Sequence, residues 1–187
     1  MKFNIILITD SEYGISKYNK MPWHFTEDLK HFSNTTSYNI CIMGSTTAKD
    51  LGKPLANRDN IVISSNDDCL NLSGDGYNDF IIVRTLEDAL KKGQELIFPY
   101  KKIFIIGGSR LFNEALKSNN LDKIYYTHIN KSYNCDNFVE PLLNRDDMNY
   151  EILNKIKVPN KSTVNMMNNV GEVELTFYLI TKKNKIN

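Results

Sequence analysis

The sequence has few cysteines, and the three that it has lie far apart. Cys41, Cys69 and Cys135 are odd in number and form no C-x-x-C pair, which argues against a disulfide framework and against a zinc site. The three histidines show no metal-ligand grouping either. We therefore expect a protein of the reducing cytoplasm that holds no metal.

Long apolar runs and a charge excess are also missing. No stretch reaches the ~18 to 20 apolar residues that cross a bilayer, and the short run in MKFNIILITD lacks the length and cleavage site of a signal peptide. The 23 basic and 22 acidic residues leave a net charge of +1, which is too weak to indicate nucleic acid or a membrane as partner. We expect a monomer that binds a small molecule.

Short runs rich in Ile, Val and aromatic residues recur along the 187 residues, a length that suits one domain, residues 1–187. Such runs predict strands. They cover residues 3–9, 39–43, 60–65, 79–84, 102–108, 123–129 and 173–182. Helical patterns lie between them at 26–32, 85–97 and 109–116, the second with Thr85 as N-cap.

This order of elements predicts an α/β domain. The central sheet is expected to be mostly parallel, flanked by helices, with an antiparallel C-terminal edge. Residues 67–79 and 142–171 are rich in Asn, Asp and turn formers, so we expect a loop at the first and a loop-rich excursion at the second.

Asp28 is the first candidate for chemistry. It lies in the first turn of a predicted helix on which Phe25, Leu29 and Phe32 share one face, so its carboxylate can lie at the rim of an apolar pocket. A carboxylate placed there can accept two hydrogen bonds from an amidine-like N–C–NH2 edge, the donor pattern of a pterin ring. The alternative is an acid placed favourably near a helix N-terminus.

Two strand-to-helix turns are candidates for anion binding. One is ICIMGSTT, where Gly44 precedes Thr46 and Thr47, and the other is IFIIGGSR, with Gly107 and Gly108. Backbone N–H groups at such turns suit phosphates, although capping and ordinary turns would also explain them. Both turns would lie at the carboxyl ends of the strands, where ligands of open α/β sheets bind, so a dinucleotide could span them.

Several stretches, in this order, resemble dihydrofolate reductase. They are MPWHFTEDLKHF, CIMGSTT followed by LGKPLANRDNIVISS, IFIIGGSRLFNEAL, and KIYYTHI with CDNF after it. The resemblance covers residues from about 4 to 141, and the C-terminal strand also fits. It implies reduction of 7,8-dihydrofolate to 5,6,7,8-tetrahydrofolate by NADPH, in support of one-carbon metabolism and thymidylate synthesis.

The resemblance also implies roles for individual residues. Asp28 would pair with the pterin and favour protonation at N5, Thr127 would hold Asp28, and Trp23 would position a water near it. Arg58 would bind the glutamate carboxylate of the substrate, with Lys53 as an auxiliary. The apolar walls around the pterin and its benzoyl group would be Ile6, Leu29, Phe32, Leu51 and Ile106.

The cofactor site that the resemblance implies draws on more of the chain. Residues 10–24 would form a mobile lid over the nicotinamide, and Gly107 and Gly108 would be joined by a cis peptide bond. The cofactor-binding residues would be Ile8, Ile15, Ser16, Met21, Gly44, Ser45, Thr46, Thr47, Ser64, Ser65, Arg84, Ile106, Gly107, Gly108, Ser109, Arg110, Leu111 and Phe112.

The sequence departs from the family pattern at three of these positions. Ser45 stands where Arg or Lys usually pairs with the 2′-phosphate of NADPH, so NADH is also a possible cofactor. Thr46, Ser65 and Arg84 remain to bind that phosphate. Ile8 replaces a small residue near the nicotinamide, and Ser16 replaces a glycine of the lid.

Two other interpretations stay open. One is the reductase of riboflavin biosynthesis, which shares the fold and the nicotinamide chemistry, but Asp28 within PWHFTEDL argues against it. The other is a catalytically idle copy that serves as a nucleotide-binding or structural module. An assay of reduced-nicotinamide absorbance that depends on dihydrofolate separates all three.

Overall fold

The computed structural model describes residues 2–65, 80–96, 101–163 and 170–183. Its strands are β1 Phe3–Thr9, β2 Gly14–Ser16, β3 Ile40–Gly44, β4 Asp59–Ile63, β5 Phe80–Val83, β6 Ile103–Ile105, β7 Leu121–Ile129, β8 Asn137–Phe138, β9 Met148–Pro159 and β10 Glu172–Lys182. Its helices are α1 Thr26–Thr36, α2 Ser45–Leu51, α3 Leu86–Leu96 and α4 Ser109–Lys117. The loop expected at 67–79 lies outside the described residues.

Eight of these strands form one sheet in the order β5-β4-β3-β6-β1-β7-β10-β9. The strands from β5 to β7 are parallel to their neighbours, whereas β10 is antiparallel to both β7 and β9. The prediction of a mostly parallel sheet with an antiparallel C-terminal edge is confirmed. The strands β2 and β8 pair separately and are too short to leave an apolar pattern in the sequence.

The central strand β1 shows why the early apolar runs were readable. All seven of its residues are buried, because helices and loops cover both faces of the parallel part of the sheet. The main core packs around β1, β3, β6 and β7, with Phe3, Ile42, Ile105 and Tyr126 each no more than 1% exposed. This rigid centre holds the carboxyl ends of the parallel strands side by side.

The interpretation of 142–171 as loop-rich is wrong over Met148–Pro159, which form the twelve-residue strand β9. This strand pairs with β10 from Glu172 opposite Pro159 to Lys182 opposite Met148. It is the edge of the sheet, and nearly all its side chains are exposed. Backbone hydrogen bonds stabilise it, so its polar side chains carry no alternating pattern.

The helices begin where the sequence indicates. The Thr85 hydroxyl accepts from the Asp88 N–H at 3.0 Å and donates to the Asp88 carboxylate at 2.7 Å, which confirms Thr85 as the N-cap of α3. The helix α2 follows β3 directly and α4 follows β6 after three intervening residues, with Gly44 and Gly108 as their N-caps. Among the described residues no helix is long and apolar enough to cross a membrane.

Candidate active site

A cavity of about 700 Å³ opens at the carboxyl ends of the parallel strands. This is the edge of an open α/β sheet at which ligands bind. Most of the residues that were predicted to bind substrate or cofactor line it. They are Ile6, Ile8, Ile15, Ser16, Met21, Asp28, Leu29, Phe32, Gly44, Ser45, Thr46, Thr47, Leu51, Ser64, Ser65, Arg84, Ile106, Gly107, Gly108, Ser109, Arg110, Leu111 and Phe112.

Asp28 is the acidic group at one wall of this cavity, in the first turn of α1. Only 9% of it is exposed, and burial raises the pKa of its carboxyl to about 6, against the opposing effect of a hydrogen bond from Thr127. The Thr127 side chain is buried in β7, next to Ile8 of β1. A carboxyl with a pKa of about 6 can change its protonation state close to neutral pH, which is the property required of a group that assists proton transfer.

Apolar side chains surround this carboxyl. Leu29 follows it on α1, and Phe32 lies one turn further along the helix; both line the cavity. Leu29 is 43% exposed and Leu51 is 38% exposed, and both side chains line the cavity. The wall suits a flat, partly apolar ring whose polar edge faces Asp28.

Trp23 does not line the cavity but packs in the neighbouring core with Ile8, Phe25 and Tyr133. Its ring contacts that of Tyr133 edge to face at 5.2 Å between centroids. Its Nε1–H is buried and has no hydrogen-bond acceptor among the described residues. A buried donor of this kind normally has a partner, which agrees with its predicted role of holding a water.

Arg58 also lies outside the cavity wall. Its guanidinium donates to the Thr36 hydroxyl at 3.1 Å and to the Ala56 carbonyl at 2.9 Å, and it sits 5.8 Å from the centre of the Phe32 ring. These contacts place the guanidinium charge next to Phe32, outside the set of residues that line the cavity. Lys53 is exposed and is not among the cavity-lining residues, so its auxiliary role stays a prediction.

The two glycine-containing turns meet at the other wall. The Gly44 N–H donates to the Gly107 carbonyl at 2.7 Å, and a cis peptide joins Gly107 to Gly108. Gly107 has φ +127°, and a Cβ there would lie 3.3 Å from the Phe112 ring, so a side chain at this position would strain the backbone and press on that ring. The helix α4 begins here without a side-chain cap, which leaves its first N–H groups to an anion.

A third group of polar residues extends this wall along the sheet. Ser64 and Ser65 follow β4, and Arg84 follows β5 and donates to the Ser64 carbonyl at 3.1 Å. With Ser45 and Thr46 they line the same cavity. The sequence interpretation had joined these residues through the resemblance alone, and the structure brings them together.

Some cavity-lining residues were not predicted. They are Leu7, Asn19, Asp50, Ile63, Thr85, Leu86, Glu114 and Asn137. Asn137 belongs to the two-stranded β2-β8 sheet, which no local pattern revealed, and Asp50 and Glu114 look like ordinary helix-surface acids in the sequence. Among the described residues no cluster of His, Cys, Asp or Glu could hold a metal.

Comparison with known families decides what kind of site this is. Residues 2–170 match the dihydrofolate reductase family. The chain belongs to that family. This match spans β1 to β9 and therefore includes every cavity-lining residue described above.

Individual members of the dihydrofolate reductase family resemble the chain over different lengths. Dihydrofolate reductase from Staphylococcus aureus is 29% identical over 88% of this chain and 93% of its own length. Bifunctional dihydrofolate reductase-thymidylate synthase from Paramecium tetraurelia is 33% identical over 72% of this chain, which spans only 27% of that relative. Enterococcus faecalis dihydrofolate reductase, solved with NADP(H) and RAB-propyl, has a TM-score of 0.70 at 24% identity and matches 98% of this chain and 97% of its own. The last comparison confirms the fold.

Proposed function

We propose that the protein reduces 7,8-dihydrofolate to 5,6,7,8-tetrahydrofolate with NADPH. The observation that carries the proposal is Asp28, a buried carboxyl with a pKa of about 6 that faces an apolar cavity and accepts from Thr127. A pterin ring presents adjacent N–H and NH2 donors that match such a carboxylate. Membership of the dihydrofolate reductase family and the glycine turns on the opposite wall support the same conclusion.

The residues of the two glycine-containing turns, which form the cavity wall opposite Asp28, fit a dinucleotide. Gly44 and Gly107 leave the backbone bare where a pyrophosphate would approach, and the uncapped start of α4 offers N–H groups to it. Ser64, Ser65 and Arg84 extend the same wall toward a 2′-phosphate. The reduced nicotinamide would supply a hydride from its C4 to C6 of the pterin.

The chain's own residues would supply orientation and electrostatics. Asp28 would hold the pterin edge and raise the basicity of N5 through its negative charge, so that N5 accepts a proton. Thr127 would keep the carboxylate in place, and the Trp23 N–H would hold a water beside it. Leu29, Phe32 and the β2 residues would keep bulk water from the reacting rings.

The direct test is the loss of reduced-nicotinamide absorbance in the presence of dihydrofolate, run with NADPH and with NADH. We expect turnover that depends on dihydrofolate and favours NADPH, and loss of that turnover in Asp28→Asn. Cofactor binding without turnover would identify an idle copy, and turnover only with a pyrimidine substrate of riboflavin biosynthesis would reject the pterin. A monomeric state and a cytoplasmic location remain predictions from composition.

A further inference from the structure

A second buried carboxylate, that of Asp10, has no part in the proposed reaction. It is the residue after the last one of β1, at the carboxyl ends of the parallel strands, and it is 0% exposed. A buried carboxylate is costly unless hydrogen-bond donors compensate its charge. Asp10 must therefore be explained by what donates to it.

Three backbone N–H groups donate to this carboxylate. Oδ1 accepts from Gly14 at 2.8 Å and from Glu12 at 3.0 Å, while Oδ2 accepts from Tyr133 at 2.9 Å. The Cys135 thiol also forms a hydrogen bond with Asp10. Burial, together with the negative charge of Asp10, raises the pKa of that thiol to about 12. The thiol therefore stays protonated and remains a donor.

The donors come from two separate segments of the chain. Glu12 belongs to the turn that leads into β2 and Gly14 is the first residue of that strand, whereas Tyr133 and Cys135 belong to the segment between β7 and β8. The two oxygens of Asp10 thus join the two segments. Gly14 packs so closely on the Cβ of Cys135 that an added side chain would overlap it.

These two segments carry residues of the cavity. Ile15 and Ser16 of β2, and Asn137 of β8, line it, and Ser16 pairs with Asn137 across the two-stranded sheet. Their positions depend on how β2 is held against the sheet. The hydrogen bonds of the Asp10 carboxylate hold β2 and the segment before β8 against the end of β1.

We propose that Asp10 is a positioning residue. Its carboxylate fixes β2 and the segment 131–139 to the end of β1, and so it places Ile15 and Ser16 at the cavity. The effect on catalysis rests on the proposed function, whereas the effect on the segments does not. An amide has one acceptor oxygen and cannot accept from both segments, so Asp10→Asn should separate them without a change of shape.

The test is amide hydrogen exchange of the full-length protein, with and without NADPH, for wild type and Asp10→Asn. We expect exchange to accelerate by tenfold to about a hundredfold in residues 11–18 and 131–139, and not in β3 or β4, because a charge-assisted hydrogen bond is lost only there. NADPH should bind about tenfold more weakly, with the KM for dihydrofolate nearly unchanged. Gly14→Ala, which presses on Cys135 from the other side, should give the same pattern.

Two control variants separate positioning from general stability. Asp122→Asn changes the same kind of side chain where it is exposed and pairs with Lys2, and it should change neither exchange nor binding. Ile180→Val weakens the packing of the fully buried core. It should accelerate amide hydrogen exchange without a selective loss of affinity for NADPH.

Other results would overturn the proposal. Faster exchange throughout the sheet, or failure of Asp10→Asn to fold while Gly14→Ala behaves as wild type, would make Asp10 a residue of the fold alone. Local loosening with unchanged NADPH affinity would reject its role at the cavity. If wild type shows no dihydrofolate-dependent turnover, the proposed function fails, and exchange together with NADPH binding still decides the role of Asp10.

Discussion

Burial makes ionisation of the Asp28 carboxyl unfavourable in the folded protein. Its pKa is raised from 3.8 to about 6 by burial, so ionising it is harder in the folded protein than in the unfolded chain. The contribution of Asp28 to the free energy of unfolding is therefore most favourable below about pH 4 and is lost as the pH rises through 6. A difference of about two pKa units corresponds to about 3 kcal/mol.

The first prediction follows from this linkage. Asp28→Asn should raise the free energy of unfolding at pH 7 by up to about 3 kcal/mol and have little effect near pH 4, while it lowers dihydrofolate turnover by orders of magnitude. Denaturant unfolding at both pH values, together with the absorbance assay, measures this. A gain of the same size at both pH values would show that the effect is not the charge.

Thr127 also affects the pKa of the Asp28 carboxyl. Its hydrogen bond favours the charged carboxylate and so lowers the pKa of Asp28. Thr127→Val should raise that pKa, and the fall of kcat/KM toward low pH, where the carboxylate takes up a proton, should begin at a higher pH than in wild type. A profile of kcat/KM against pH tests this, and a profile that keeps its midpoint would remove Thr127 from the control of Asp28.

Arg58 sits behind the Phe32 ring, where its contacts with Thr36 and Ala56 fix its direction. Arg58→Leu should weaken dihydrofolate binding by tenfold to about a hundredfold, because a charge-assisted pair to the glutamate carboxylate is lost. A pterin substrate without the tail should be almost unaffected. Arg145→Leu, which removes an arginine paired with Asp147, is the matched control. Equal losses for both substrates would assign Arg58 to the fold.

At the scale of the elements, we expect the junction between β3 and α2 to set the preference between NADPH and NADH. Ser45 lines the cavity near Ser64, Ser65 and Arg84, which offer hydroxyl donors and one positive charge to a 2′-phosphate. NADPH should be preferred over NADH, but by one to two orders of magnitude less than with an arginine at position 45, because one hydrogen bond to a charged group is missing.

Ser45→Arg tests that placement. It should tighten NADPH much more than NADH, and the gain should shrink with added salt because the side chain is partly exposed. The kcat/KM values for both cofactors, in wild type and variant, give the answer. An unchanged ratio would show that position 45 does not face the 2′-phosphate.

The predictability of each element from the sequence follows its burial. The runs at 3–9 and 123–129 were recognisable because β1 is wholly buried and largely apolar, and β7 is rich in Ile and Tyr and has no exposed residue. The strand β9 was mistaken for loop because an edge strand shows both faces to water, and its register comes from β10, which follows it in the chain.

The residues of the site also differ in how far the sequence reveals them. The family motifs located Asp28, Gly44 and Gly107, since each lies within a local sequence pattern. Asn137 and Asp50 were missed because only the tertiary fold turns them toward the cavity.

For the whole molecule, a ligand in this cavity would contact elements from β1 to β8 and should stabilise the fold as one unit. NADPH at a hundred times its Kd should add about 2.7 kcal/mol to the free energy of unfolding. In a protein of this size that raises Tm by about 5 to 10 °C. A thermal melt with and without NADPH measures it, with NADH as control, and an unchanged Tm would contradict cofactor binding here.

The position of β1 has a consequence for synthesis on the ribosome. This first strand, Phe3–Thr9, lies between β6 and β7, which emerge about a hundred residues later. At ~5 to 20 residues per second, the unpaired backbone edges of β1 wait ~5 to 20 s for β6 and ~1 to 4 s longer for β7. The nascent chain therefore carries an unpaired, largely apolar strand until β6 and β7 have been made, and slowing elongation before Leu121 should lengthen its exposure to chaperones and to aggregation.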